Sequence, residues 1–247
     1  MGKIVNIAAY QFVPLDALSE LRVQLREHAA ALHLKGTILL APEGINLFLA
    51  GTRAQIDDFL GQLQAMPEFT SLAVKESLSA RQPFGKLLVK LKKEIISLGR
   101  PDIDPARAPA PRLPARELAA WLGEGREVVL LDTRNDFEVE HGTFKGAVSM
   151  GLDNFRSFAE RVNDLDPALK DKTIVTFCTG GIRCEKAAPL MIKNGFSRVY
   201  QLDGGILKYF EECGTAHFVG NCYVFDERIA LDPALNPALA AKAQAEK

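Results

Sequence analysis

Residues 173–186 read Thr-Ile-Val-Thr-Phe-Cys-Thr-Gly-Gly-Ile-Arg-Cys-Glu-Lys. Thr173–Phe177 is a short apolar run that reads as a buried strand, and a helix is expected to open at about Arg183. A strand, a tight loop and a helix form the unit of a parallel sheet, whose chemistry sits at the carboxyl ends of its strands. Here that end carries Cys178. Gly180 and Gly181 let the backbone curl, so that successive amides converge on one centre. The helix N-terminus adds a partial positive charge and Arg183 a full one. Such surroundings favour thiolate over thiol, lowering a cysteine from about 8.5 by one or more units. Cys178 is therefore the candidate catalytic nucleophile or persulfide carrier, in an anion nest of Thr179, Gly180, Gly181, Ile182 and Arg183. An inert thiol at a strand end is the plainer alternative.

The flanking sequence supports the same architecture. Val128–Leu131, Ala147–Met150 and Val199–Leu202 read as short strands. Helices are expected at Arg116–Leu122, Asn154–Val162 and 184–194, and after Gly204-Gly205. Strands separated by helices imply an α/β domain with a parallel sheet. Asp132 and Arg134 close the first strand and are candidates to fix the active loop from behind.

Upstream the pattern differs. Ile4–Phe12, Thr37–Leu40, Ile45–Ala50 and Leu72–Glu76 read as strands, with a further strand-like stretch at Lys86–Ile96. Leu15–Leu34 and Gln55–Gln64 read as amphipathic helices. The order βαββαβ predicts a ferredoxin-like, acylphosphatase-like domain with helices on one face of an antiparallel sheet. Residues 100–114 hold five prolines in fifteen positions, which predicts an extended linker outside both cores. The expected division is a ferredoxin-like domain at 1–99, a linker at 100–114, a second domain at 115–230 and a tail at 231–247.

Composition narrows the class. With 47% hydrophobic and 25% charged residues in 247, the chain reads as an ordinary globular protein rather than a disordered or membrane-spanning one. The N-terminus lacks a secretory pattern, and four cysteines in so long a chain make no disulfide framework, so reduced thiols in a cytoplasm are expected. The net charge of −1 hides an asymmetry: residues 1–100 carry 12 basic and 9 acidic side chains, the remainder 18 and 22. Arg81, Lys86, Lys90, Lys92, Lys93 and Arg100 crowd the end of the first part.

Loop length separates two chemistries. Cysteine phosphatases have five residues between Cys and Arg, whereas four lie between Cys178 and Arg183 here. The shorter loop is similar to that of the rhodanese superfamily, as are Asp132-x-Arg134 and Leu202-Asp-Gly-Gly-Ile206. Further segments narrow the resemblance: Gly36-Thr-Ile-Leu-Leu-Ala-Pro-Glu-Gly-Ile-Asn46, Asp132-Thr-Arg-Asn-Asp136, Gly142-Thr-Phe-Lys-Gly-Ala147, Cys178 to Lys186, Gly204-Gly-Ile-Leu-Lys208 and Val224-Phe-Asp-Glu-Arg228. Together they resemble the bacterial tRNA uridine(34) hydroxylases, over roughly residues 5–230. The resemblance implies oxygen-dependent 5-hydroxylation of the wobble uridine, with dioxygen as co-substrate and Cys178 essential. Longer members carry a cysteine-rich C-terminal extension, and no role of that extension is carried over to residues 1–247.

The residues also speak to an RNA partner. Lys86, Lys90 and Lys92 share one face of a strand, and with Arg81 they are candidates to bind tRNA phosphates; an edge strand guarded by lysines is the alternative. Glu43 and Asn46 decorate a hairpin and face either the partner domain or substrate, unless they only stabilise the turn. Cys184 is a candidate resolving thiol for oxidised Cys178. No metal site is expected, since the histidines lack ligand spacing and Cys213, His217 and Cys222 lack a fourth ligand. No nucleotide fingerprint or other cofactor motif is evident. The partner expected is tRNA, with no membrane and no DNA. Besides the hydroxylase, two readings stay open: a thiosulfate-type sulfurtransferase working through a cysteine persulfide, and a non-catalytic thiol-sensing or tRNA-binding module.

Overall fold

The computed structural model describes residues 3–238. The first part runs β1 (Ile4–Phe12), α1 (Leu18–Ala31), β2 (Lys35–Ala41), β3 (Gly44–Gly51), α2 (Arg53–Gln64), β4 (Val74–Ser79) and β5 (Leu87–Leu91). Its sheet has the order β4-β1-β3-β2-β5. The first four strands form the expected antiparallel βαββαβ core, while β5 joins the edge parallel to β2 and makes the sheet mixed. Alternation along β1 shows why it lies flat between two environments. Val5, Ile7 and Ala9 pack with Leu25 and Ala29 of α1 and Phe59 of α2, and Asn6, Ala8 and Tyr10 face the other way. A capping box starts α2: Gln55 N donates to Thr52 Oγ1 at 3.4 Å and Thr52 N to Gln55 Oε1 at 2.8 Å.

The second part contains β6 (Arg112–Leu113), α3 (Ala115–Gly123), β7 (Val129–Asp132), α4 (Asp136–Val139), β8 (Gly142–Phe144), β9 (Val148–Ser149) and α5 (Phe158–Arg161). There follow β10 (Thr173–Phe177), α6 (Cys184–Lys193), β11 (Arg198–Leu202), α7 (Gly205–Cys213), β12 (Phe218–Gly220), β13 (Cys222–Tyr223) and β14 (Ala230–Leu231). The order β6-β11-β10-β7-β9 is parallel throughout. Helices cover both faces: Ile174 packs towards α6 with Ala187 and Leu190, and Val175 and Phe177 pack towards α3 and α7 with Leu118 and Ile206. Each such fully buried Leu or Phe contributes about 1.5–3 kcal/mol. The chain leaves β7 towards β9 on one side and returns to β10 on the other. The crevice between the carboxyl ends of β7 and β10 is therefore a topological switch point, the usual place for a ligand.

The proline-rich stretch does not stay outside the cores. Ile103 and Ala110 are buried in the cluster around Leu131, and Arg112–Leu113 extends the sheet beside β11. Apolar residues between the prolines fill the sheet edge, where a missing amide costs little. The expected tail is likewise ordered at its start, since Leu231 bridges to Pro237; residues 239–247 lie outside the described residues. Among the described residues no helix is long and apolar enough to cross a membrane.

The two parts meet at the helix-free face of the first sheet. Lys186 of α6 is 1% exposed and donates to Glu43 at 2.9 Å, Glu94 at 2.7 Å and the carbonyl of Ile96 at 3.0 Å. Asn46 Nδ2 reaches Ile95 O at 3.3 Å, and the backbone amide of Ile95 donates to Glu43 at 2.7 Å. Glu43 thus faces the second part, while Asn46 ties its own sheet to the segment leading there.

Candidate active site

Cys178 follows β10 directly and lies at the floor of a cavity of about 750 Å³. The roof is the polar face of the first sheet, with Asn6, Tyr10, Asn46 and Lys75. The loop turns beneath the sulfur because Gly181 adopts φ +99°, and its amide donates to Cys178 Sγ at 3.2 Å. A side chain at Gly181 would meet Tyr10 Oη at 2.8 Å, so that glycine serves both the turn and the close approach of the other sheet. Gly180 borders open space, and its carbonyl accepts from Lys75 Nζ at 2.9 Å. From behind, α7 clamps the loop: Ile206 N donates to Cys178 O and Leu207 N to Thr179 O, both at 3.0 Å.

Burial pushes the Cys178 thiol up, but a hydrogen bond from Cys184, the Arg183 charge and the amides of Arg183 and Gly181 outweigh it. The net effect is a fall to about 5. Cys184 is fully buried and held well above its ordinary value, first by burial and then by the neighbouring thiolate. It therefore stands as the protonated donor of the pair. Thr133 Oγ1 lies 3.7 Å from its sulfur. Cys222 is also pushed up, to about 12, chiefly by burial.

Arg183 is not the free cation that the loop sequence suggests. Its guanidinium makes a bidentate pair with buried Glu138 at 2.5 and 2.7 Å, which fixes its plane beside the loop while its charge still lowers Cys178. Glu138 also accepts from Thr179 Oγ1 at 3.3 Å and from the Asn135 amide at 3.1 Å. Asp132 and Arg134 act one step further back. Arg134 is fully buried, pairs with Asp132 at 2.6 Å, and donates to Gly142 O at 2.6 Å and Glu138 O at 3.4 Å. The pair thereby holds the short α4 that presents Glu138 to Arg183.

Sequence reasoning missed three side chains here. Glu138 was detectable only as the fourth position of Asn135-x-x-Glu138, a capping-box pattern. Tyr10 and Lys75 come from β1 and β4 of the other part. Tyr10 donates to Glu185 at 3.0 Å, and burial first, then Glu185 and Cys178, hold its phenol well above the usual range. Burial lowers Lys75, with Cys178 the leading charge that opposes the fall. Of the candidate phosphate binders, exposed Lys92 lines the cavity, whereas Arg81, Lys86 and Lys90 are exposed away from its lining. Leu87 and Val89 pack inward, as the alternation requires. Among the described residues no three His, Cys, Asp or Glu side chains are grouped to hold a metal ion.

A parallel sheet presenting a cysteine in a four-residue loop, under an acylphosphatase-type sheet, defines a two-part rhodanese-type protein. Residues 4–95 match the family described as UPF0176 acylphosphatase like domain, and residues 114–212 match the Rhodanese-like domain family. The chain is 55% identical over 243 residues to a tRNA uridine(34) hydroxylase of Bordetella petrii, covering 96% of each. It is 56% identical to one of Cupriavidus necator, over 96% of this chain and 86% of that one. The chain belongs to the tRNA uridine(34) hydroxylase family. Among solved structures, the rhodanese-like domain of an Anabaena sp. protein aligns with a TM-score of 0.38 and 22% identity, over 44% of this chain and 79% of that one.

Proposed function

We propose that this protein hydroxylates the 5-position of the wobble uridine of tRNA in the cytoplasm, with dioxygen as the oxygen source and Cys178 as the reactive group. The observation that carries the reading is the Cys178 loop at the floor of the inter-sheet cavity, in a chain 55% identical over 96% of its length to named hydroxylases. The cavity volume lies in the range of roughly 300–1,000 Å³ typical of small-molecule sites, enough for one extruded base. Within it the thiolate is ready at neutral pH, Lys75 brings an ammonium to the rim of the loop, and Tyr10 roofs Gly181. Arg183, locked by Glu138, supports the loop; Asp132 and Arg134 set α4. Lys92, with Arg81, Lys86 and Lys90 further along the edge, supplies cations for the phosphate backbone.

The test is mass spectrometry of tRNA nucleosides from a deletion strain carrying either the wild-type chain or Cys178→Ser. Wild type is expected to restore 5-hydroxyuridine, with isotopic oxygen taken up from labelled dioxygen, and the variant to leave uridine unmodified. Normal hydroxylation by Cys178→Ser refutes the role of the thiol. The four-residue loop also favours a second reading, a Cys178 persulfide in sulfur transfer, because it turns the amides of Gly181 and Arg183 onto the sulfur. Loss of 2-thiouridine in place of 5-hydroxyuridine would select that reading.

A further inference from the structure

Of nine large apolar side chains exposed among the described residues, two are aromatic, Phe137 and Phe225, at 42% and 52%. They lie together. Their ring centroids are 6.5 Å apart, and Tyr223 packs edge-on against both, at 5.2 Å from Phe137 and 5.1 Å from Phe225. Phe225 also lines the Cys178 cavity, so the cluster begins at the mouth of the site and runs outward to His141, whose ring is 5.3 Å from that of Tyr223.

The exposure is held in place. The strap carrying Phe225 is tied to the first part by Arg228 to Ser77 Oγ of β4 at 2.7 Å and by the Glu227 amide to Pro83 O, in the loop between β4 and β5, at 3.1 Å. Arg228 is itself fixed by Asp226 at 2.8 Å, and the Tyr223 carbonyl accepts from Thr179 Oγ1 of the active loop at 3.4 Å. Burying these rings in the core would be favourable; a double anchorage that keeps them in water indicates a ligand.

We propose that Phe137, Tyr223 and Phe225 form a stacking platform for the unpaired RNA bases next to the base that enters the Cys178 cavity. This deepens the tRNA-hydroxylase reading and rests on it. A target base can reach Cys178 only if the loop around it is splayed, and splayed bases need flat apolar faces to replace the neighbours they lose. Perpendicular ring packing sets such faces at fixed angles. Exposed Lys92 and Arg156 line the same cavity and can meet the phosphates between those bases.

The test uses the full-length protein and an anticodon stem-loop RNA with 2-aminopurine beside the target uridine. Phe225→Leu keeps apolar bulk but removes the aromatic face, and Phe225→Trp restores one. Leucine is expected to weaken binding roughly tenfold or more per stack lost and to relieve the 2-aminopurine quench, while tryptophan retains both. The salt dependence should stay unchanged, because no phosphate contact is removed. Wild-type affinity and quench in the Phe137→Leu/Phe225→Leu double variant overturn the platform. Failure of the wild-type protein to bind the stem-loop refutes the tRNA reading itself.

Discussion

Ionisation of Cys178 should be visible in the stability of the protein. In an unfolded chain the thiol titrates near about 8.5, whereas the native site lowers it to about 5. Below that lower value both states hold the proton and the thiol contributes nothing to the pH dependence. Between the two values the unfolded chain binds a proton that the native state has released, so stability rises with pH. A gap of roughly 3.5 units at about 1.36 kcal/mol per unit gives a ceiling of about 4–5 kcal/mol near pH 8.5. Cys184 then acts in the opposite sense. Its native value is raised, so above about pH 8.5 the unfolded chain loses that proton first and stability declines. The measurement is urea unfolding of the wild type and Cys178→Ser in matched buffers across this range. The stability difference between them should grow from about pH 5 to about 8.5 by several kcal/mol. A difference that is flat across the window, or that shrinks with rising pH, means that the native thiol is not ionised and refutes the argument from the loop.

Further outcomes follow from single contacts. Glu138→Gln leaves Arg183 buried without its anion and should cost about 3–5 kcal/mol in denaturant unfolding, while the Cys178 thiol, now the nearest anion, falls further in a thiolate absorbance titration. Gly205→Ala places a Cβ 2.7 Å from the Gly181 amide and closer still to the Cys178 carbonyl, at a φ of +66°. It should displace the loop and abolish tRNA modification, with the protein still folded by circular dichroism. Lys75→Met removes the ammonium beside the loop, so the Cys178 thiol should titrate at a higher pH than in the wild type.

The legible part of this protein is the part written in consecutive residues. Thr173–Phe177 and Cys184–Lys193 are local patterns, and the four-residue spacing from Cys178 to Arg183 needs nothing from elsewhere in the chain. Asp132 and Arg134 were within reach for the same reason, being two positions apart at a strand end. The pairing of Glu138 with Arg183 was not, because the two lie 45 residues apart and only the fold brings them together. Tyr10 looked like one more residue of an alternating strand; that its face looks onto Gly181 is decided by how two sheets pack. Strands of two or three residues, such as Arg112–Leu113 and Cys222–Tyr223, are too short to carry a period at all. The prolines at 100–114 predict an extended segment outside both cores, whereas the chain turns at Arg100–Ile103 and Asp104–Ala108, is extended only at Arg112–Leu113, and buries Ile103 and Ala110, because the neighbouring sheet sets the environment there.

Lys186 has a consequence for anyone who would take the protein apart. A cut within the proline-rich stretch separates two recognisable modules, yet it leaves an ammonium on one fragment and the carboxylates of Glu43 and Glu94 on the other. Each fragment then carries charges or apolar surface that only its counterpart neutralises or covers. The modules are separable as text and inseparable as material: the working object for expression, grafting or inhibitor design is the whole chain.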